Sequence, residues 1–151
     1  MKRKIIFALL ALTVAIVIFW FSNQSASESQ AQSNGFIYLF LSRFLSDGIS
    51  SKLSYLVRKC AHFCVYALLG GLVCGSLAEN KSFFRTFCIS QIICMFYAAT
   101  DEIHQYFIPG RACRISDVAL DSLGSACGIV IMLFVFFLIY RFNKVSRDNI
   151  L

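Results

Sequence analysis

Most of the side chains that could do chemistry are concentrated in three short segments of this 151-residue chain. They are Arg58, Lys59, His62, Tyr66, Asp101, Glu102, His104, Gln105, Arg111, Arg114, Asp117 and Asp121. Guanidinium and ammonium groups bind phosphate or carboxylate, and carboxylates with histidines can transfer protons. The set therefore indicates an anion-binding site, a site of acid–base catalysis, or a group of ion pairs that only holds the fold.

Two of these residues, Glu102 and His104, are the candidates for a catalytic base. They belong to the string DEIHQ at 101–105, which is not the HExxH zinc motif because it holds one histidine rather than two. His62 could approach His104 only through the fold. No serine or cysteine is marked as a nucleophile by its neighbours. We expect neither a bound metal nor a cofactor, and whether the chain is an enzyme stays open.

Spacing places several of the polar residues on shared helix faces. Residues four apart are neighbours on an α-helix. Three sets have that spacing: Arg58, His62 and Tyr66; Asp101 and Gln105; Asp117 and Asp121. The basic pair at 58–59 begins a predicted helix and the acidic pair at 101–102 ends one, and the helix dipole disfavours both placements. We therefore predict ion pairs between the basic residues of the second span and the acidic residues of the third.

The elements that position these residues are long apolar blocks. The chain is 58% hydrophobic and contains 16 Phe, and its mean hydropathy is +0.71. A helix needs about 20 mostly apolar residues to cross a bilayer. Four blocks approach or reach that length: 5–21, 60–78, 83–106 and 118–140. The sequence therefore predicts one all-α membrane domain with four transmembrane helices, and the lipid bilayer as its first partner.

The net charge of +6 follows the pattern of membrane topology rather than that of a nucleic-acid surface. Basic residues flank the apolar blocks at 2–4, 81–85 and 141–147, as they do on the cytoplasmic side of membrane proteins. We therefore predict that both termini are cytoplasmic and that the segments 22–59 and 107–116 face outward. On this topology the polar residues gather in one layer at the outer end of the helices. We expect no nucleic-acid partner.

The first block and the segment after it allow alternative interpretations. Basic residues at 2–4, an apolar run and the small residues at 25–27 are also typical of a signal peptide, but Trp20 at the end of the run favours a retained span. The polar stretch 22–34 is predicted to be a flexible loop. The segment 36–44, including Phe44, is predicted to be a short amphipathic helix on the outer interface, with a re-entrant loop or hairpin as the alternative.

Turn and packing signals lie around the fourth block. Pro109-Gly110 predicts the end of the third helix. Ser116 is predicted to be the N-cap of the fourth, with Asp117 in its first turn. Gly124 and Gly128 have the spacing that lets membrane helices approach closely. We interpret them as packing residues inside the bundle rather than as a dimerisation motif.

Three motifs resemble the VanZ-like family of bacterial membrane proteins. They are FSNQSASES at 21–29, RKCAHFCVYALLG at 58–70 and YAATDEIHQYFIPGRACRISDVALDSLGSACG at 97–128. Their order and spacing match the family over nearly the whole chain. One departure is Cys64, followed by Val65, where the family pattern has a polar or acidic residue before the tyrosine.

The resemblance implies a bacterial cell membrane location and a set of ligand-binding residues. The family is named for a protein associated with low-level resistance to the glycopeptide teicoplanin, and its biochemical activity is not established. Its polar motif positions map onto Arg58, Lys59, His62, Tyr66, Asp101, Glu102, His104, Gln105, Arg111, Asp117 and Asp121, with Ser22 and Gln24 as accessory residues. Which of these positions touch a ligand depends on the fold.

The hypothesis that follows is a cell-envelope protein whose outer polar layer binds an amphiphilic lipid or cell-wall precursor. Arg58 and Arg111 would hold an anionic head group, since guanidinium forks suit phosphate and carboxylate. One alternative is a membrane enzyme that modifies such an amphiphile, with Glu102 or His104 as base. The other is a structural or partner-binding membrane protein in which the charges only lock the helices together. The oligomeric state is left open.

Overall fold

The computed structural model describes residues 2–41, 51–78 and 82–148. These residues form α1 (Lys2–Ser22), α2 (Ala26–Leu41), α3 (Ser51–Leu77), α4 (Phe83–Tyr106) and α5 (Ile115–Asp148). No strand occurs in this part of the chain. The predicted all-α fold is confirmed.

Four of the helices, α1, α3, α4 and α5, are long and apolar enough to cross a membrane. Many of their large apolar side chains lie on the outside of the bundle; Trp20 is 73% exposed and Phe96 is 71% exposed. Such a surface is stable in lipid, where helices also satisfy their own backbone hydrogen bonds. The four predicted spans are therefore confirmed, although α3 begins at Ser51, earlier than the predicted start of its span.

The segment between the first two spans is more ordered than predicted. The flexible loop predicted over 22–34 is wrong, because α2 begins at Ala26. The Ser25 backbone N–H donates to Glu28 Oε2 (2.8 Å), and the Glu28 N–H donates to Ser25 Oγ (3.3 Å). This reciprocal capping box satisfies backbone donors that the first helical turn leaves without partners. The predicted short helix before the second span exists, starts earlier, and continues to Leu41; Phe44 lies outside the described residues.

The turn into α5 differs from the prediction by two residues. Gly110 has a positive φ of 75°, which glycine adopts without steric cost, so the predicted turn after α4 is confirmed. The predicted N-cap at Ser116 is wrong. The Arg114 carbonyl accepts the N–H of Asp117 (2.9 Å), and α5 already begins at Ile115. Asp117 lies in the first turn, as predicted.

Helix α3 is the centre of the bundle and packs against each of the other four helices, most extensively against α5. Glycines allow this close approach. A Cβ on Gly128 would overlap the carbonyl oxygen of Ala67, and one on Gly124 would lie 2.5 Å from the carbonyl oxygen of Phe63. The predicted role of Gly124 and Gly128 in packing within the bundle agrees with these contacts.

Candidate functional site

A cavity of about 760 Å³ lies between α1, α2 and α3. Its walls are mostly apolar and include Val17, Ile18, Phe21, Leu56 and Val65. We call it the apolar cavity. Its volume falls within the range of about 300–1,000 Å³ that is usual for small-molecule sites. A cavity with these walls can hold the apolar part of a ligand.

A second cavity, of about 320 Å³, lies near the N-terminal end of α3, under the loop that joins α4 to α5. We call it the polar cavity. Its charged and hydrogen-bonding wall residues are Gln30, Tyr55, Arg58, Lys59, His62, Gln105, Arg111, Arg114 and Asp117. Arg58, His62 and Arg111 also line the apolar cavity. These three side chains therefore form a common boundary between an apolar space and a charged one.

Arg58 reaches this boundary from α3 and has no carboxylate contact among the described residues. Its guanidinium carbon lies 5.7 Å from the centre of the Tyr55 ring, within the range of a cation–π interaction. The Tyr55 ring holds the cation without neutralising it. Arg58 is therefore available to bind an anion.

Arg111 reaches the same boundary from the loop. Its Nη2 donates to the carbonyl oxygen of Phe21 (3.4 Å) at the end of α1, while its Nε is buried without a hydrogen-bond partner in the described part of the chain. Burial lowers the pKa of Arg111, and the neighbouring charge of Arg58 lowers it further. A bound anion between the two arginines would favour the charged form of Arg111 and offset both effects.

Ser22 adds a second unsatisfied group to the wall of the apolar cavity. It is 2% exposed, and its hydroxyl has no partner among the described residues. Leaving a buried polar group without a hydrogen bond costs about 1–3 kcal/mol. The hydroxyl of Ser22 and the Nε of Arg111 could both donate to oxygens of the same ligand.

The ion pairs of the polar layer join α3 to α5 rather than to α4. Lys59 pairs with Asp117, and His62 Nδ1 lies 3.7 Å from Asp121 Oδ2. No ion pair between α3 and α4 is found among the described residues. The predicted pairing of the basic residues of the second span with acidic residues of the third is therefore wrong, because the glycine contacts bring α5 closest to α3.

Asp101 is held by uncharged donors. The Tyr66 hydroxyl donates to Asp101 Oδ2 (3.3 Å), and the Gln105 amide donates to the same oxygen (3.0 Å). Tyr66 is 0% exposed. Gln105 is the member of this network that lines the polar cavity. The network therefore lies behind the cavity wall and positions Gln105.

Neither candidate base lies on the wall of either cavity. Glu102 is 2% exposed and accepts the backbone N–H of Arg114 (2.8 Å), so it stabilises the N-terminus of α5. His104 Nε2 lies 3.0 Å from Asn23 Oδ1, and its ring stacks on Phe19 with the ring centres 4.8 Å apart. His62 faces α5 and His104 faces α1, so the two histidines do not form a pair.

The structure thus divides the predicted site residues into two layers. Those on the walls of the two cavities are Ser22, Gln24, Arg58, Lys59, His62, Gln105, Arg111 and Asp117. Those behind or beside the walls are Tyr66, Asp101, Glu102, His104 and Asp121. Sequence reasoning missed the polar residues of α2 that complete the walls, which are Ser29, Gln30, Gln32 and Ser33.

The missed residues carried a signal. The S-x-x-E spacing of Ser25 and Glu28 is typical of a helix N-terminus, and on a helix Ser29 and Ser33 share one face. Tyr55, beside Arg58, carried no such signal. Among the residues described, no three His, Cys, Asp or Glu side chains are arranged to hold a metal ion.

The helices and their exposed apolar surfaces define a multi-pass helical membrane protein. The chain matches the family described as VanZ/LLP1 over residues 7–139, which include all the predicted site residues. It belongs to that family. No curated protein and no solved structure matches the chain.

Proposed function

We propose that the protein binds an amphiphile with an anionic head group, such as a lipid or a cell-envelope precursor. The apolar part of the ligand would occupy the apolar cavity, and the head group would lie between Arg58 and Arg111. The observation that carries this proposal is that these two arginines line both cavities without a carboxylate contact among the described residues. An amphiphile has the same division into an apolar and a charged part.

The energetics favour such a ligand over an empty or water-filled site. An alkyl chain that enters the apolar cavity from water gains about 25 cal/mol per Å² of apolar surface buried, and one that enters from lipid exchanges one apolar surrounding for another at little cost. Charge-assisted hydrogen bonds to the arginines are worth about 1.5–3 kcal/mol each. The apolar cavity therefore accommodates the chain, and the arginines bind and select the head group.

Capture of a photoactivatable hexadecyl phosphate by the purified protein tests this function. Arg58→Gln and Arg111→Gln should each lower capture by about 10- to 100-fold, as expected for the loss of one charged hydrogen bond. Arg85→Gln is the matched control, because Arg85 is an exposed arginine in the first turn of α4, at the opposite end of the bundle. Capture that is unchanged in both cavity variants would overturn the proposal.

The membrane location and the biological role are finer parts of the same proposal. We place the site at the outer face of a bacterial cell membrane, with both termini cytoplasmic, on the basis of the flanking charges. A link to glycopeptide resistance of the teicoplanin type rests on the family resemblance. Deletion of the gene should then increase teicoplanin susceptibility, and complementation with the Arg58→Gln variant should not restore resistance.

A membrane enzyme is the second candidate, and the structure changes which residue would act as its base. His62 lines both cavities, and Asp121 faces its Nδ1 from 3.7 Å. Glu102 and His104 have no such access. Release of a product from an envelope lipid by the purified protein, abolished in His62→Gln but retained in His104→Gln, would support an enzyme. Absence of turnover by protein that captures the amphiphile would leave binding as the function.

A further inference from the structure

The polar cavity carries more positive charge than its own acidic group can neutralise. Four basic residues line it, Arg58, Lys59, Arg111 and Arg114, against one acidic residue, Asp117. The ion pair between Lys59 and Asp117 removes one charge of each sign. Three arginines of the lining remain without a carboxylate partner among the described residues.

The other carboxylates of the polar layer contact different groups. Asp101 accepts from Tyr66 and Gln105, Glu102 accepts a backbone N–H, and Asp121 faces His62. No carboxylate of the described residues contacts the guanidinium of Arg58, Arg111 or Arg114. The positive charge therefore faces the cavity, and the negative charge lies behind its wall.

From this arrangement we propose that the head group carries at least two negative charges, as a phosphate monoester or a diphosphate does. This inference rests on the proposed function and names the class of its ligand. A phosphate monoester carries about 1.5 to 2 negative charges at neutral pH, and a phosphodiester carries one. Since each guanidinium can bind two phosphate oxygens in a fork, three of them match a terminal phosphate or a diphosphate better than they match a diester.

Arg114 is the residue that distinguishes the two classes. It lines the polar cavity but not the apolar one, whereas Arg58 and Arg111 line both. A singly charged head group held at the boundary uses Arg58 and Arg111 and leaves Arg114 in water, where its side chain is exposed. A more highly charged head group extends to Arg114.

Isothermal titration of the purified full-length protein in detergent with three probes tests the inference. The probes are hexadecyl phosphate, hexadecyl diphosphate and hexadecyl methyl phosphate, the last being a diester. We expect the first two to bind at least ten-fold more tightly than the diester at neutral pH. Arg114→Gln should abolish that difference and change the affinity for the diester less than two-fold, while Arg58→Gln weakens all three. The backbone N–H that Arg114 donates to Glu102 is kept in the glutamine variant.

The outcomes separate this inference from the proposed function. Equal affinity for the monoester and the diester would overturn the inference and leave amphiphile binding intact. No binding of any of the three amphiphiles by protein with an unchanged melting temperature would overturn both. Inorganic pyrophosphate is added as a fourth probe that has no alkyl chain. If it binds as tightly as hexadecyl diphosphate, a free anion rather than a lipid head group occupies the cavity. That result would also overturn the inference.

Discussion

Lys59 of α3 forms an ion pair with Asp117 in the first turn of α5. One turn further along both helices, His62 faces Asp121, and deeper still Gly128 lies against the backbone of Ala67. The numbers rise together on the two helices, so α3 and α5 run in the same direction. The ion pairs fix the register of the two helices at one end, and the glycines fix their separation.

Charge reversal tests this pairing. Lys59→Asp alone should lower the free energy of unfolding by about 1–3 kcal/mol, because the half-buried Asp117 then faces a like charge. This range lies between the contributions measured for exposed ion pairs and those for buried ones. Adding Asp117→Lys should recover most of the loss. The measurement is the unfolding midpoint of the purified protein in detergent.

The matched control is the reversal of Arg58 and Asp101, which is the pair that the helix dipoles suggest. Asp101 is bound by Tyr66 and Gln105 rather than by Arg58. The double variant Arg58→Asp with Asp101→Arg should therefore unfold no later than the less stable of the two single variants. Recovery in this second pair and not in the first would contradict the packing of α3 against α5.

The glycine contacts lead to a second prediction. Gly128→Ala should lower the free energy of unfolding by about 1–3 kcal/mol, because the added methyl group meets backbone of α3 that can move only with its helix. Gly35→Ala is the control, since a Cβ at that position has nothing within 4 Å and alanine favours a helix. Equal unfolding midpoints for the two variants would show that α3 and α5 lie farther apart than they do in this structure.

The transmembrane helices could be predicted from the sequence because lipid imposes one strong requirement. A chain that crosses a bilayer must satisfy its backbone within the segment and present apolar side chains, and both conditions are visible in a run such as 118–140. Helix α2 has no such run, so its polar composition was misleading. Only the spacing of Ser25 and Glu28 indicated its start.

Most of the residues of the candidate site could also be predicted from the sequence, but the ion pairs among them could not. Clustering of charges at one end of the apolar blocks brought Arg58 and Arg111 into the same layer. The helix dipole of α3 requires only that its basic residues have acidic neighbours, and both α4 and α5 supply acidic residues. Which helix packs closest depends on the contact of Gly128 with Ala67, a tertiary relationship that helix propensity and charge do not contain.

The capping box at the start of α2 has a pH dependence. Hydrogen bonds from the Ser25 side chain and then from its backbone N–H lower the pKa of Glu28 below its usual value of 4.5. Because the pKa is lowered in the folded state, the stabilisation is present at neutral pH and is lost as the pH falls through the lowered pKa. We expect the amide of Ser25 to be protected from hydrogen exchange at pH 7 and to lose protection below pH 4.5.

A conservative variant provides the control for this prediction. Glu28→Gln keeps an oxygen acceptor but has no charge to titrate. Once the exchange rate of the Ser25 amide is corrected for the intrinsic effect of pH, its protection should therefore be the same at every pH. Glu28→Ala should lose the protection at every pH. Protection that persists at low pH in the native protein would show that the carboxylate is not the acceptor.

The orientation in the membrane can be tested at the loop that carries Arg111. Cys113 lies in this loop and is exposed, whereas Ser82, before α4, marks the opposite end of the bundle. The basic residues Lys2, Lys4 and Arg85 predict that the end of the bundle opposite to this loop is cytoplasmic. A membrane-impermeant maleimide should then label Cys113 in intact cells. Cys60 is also exposed near this end of the bundle, so the labelling is compared in a Cys60→Ser background. There the Cys113→Ser change should remove it, and adding Ser82→Cys should give labelling only after permeabilisation. The reverse pattern would place both cavities on the cytoplasmic side, and their ligand would then have to come from the inner leaflet.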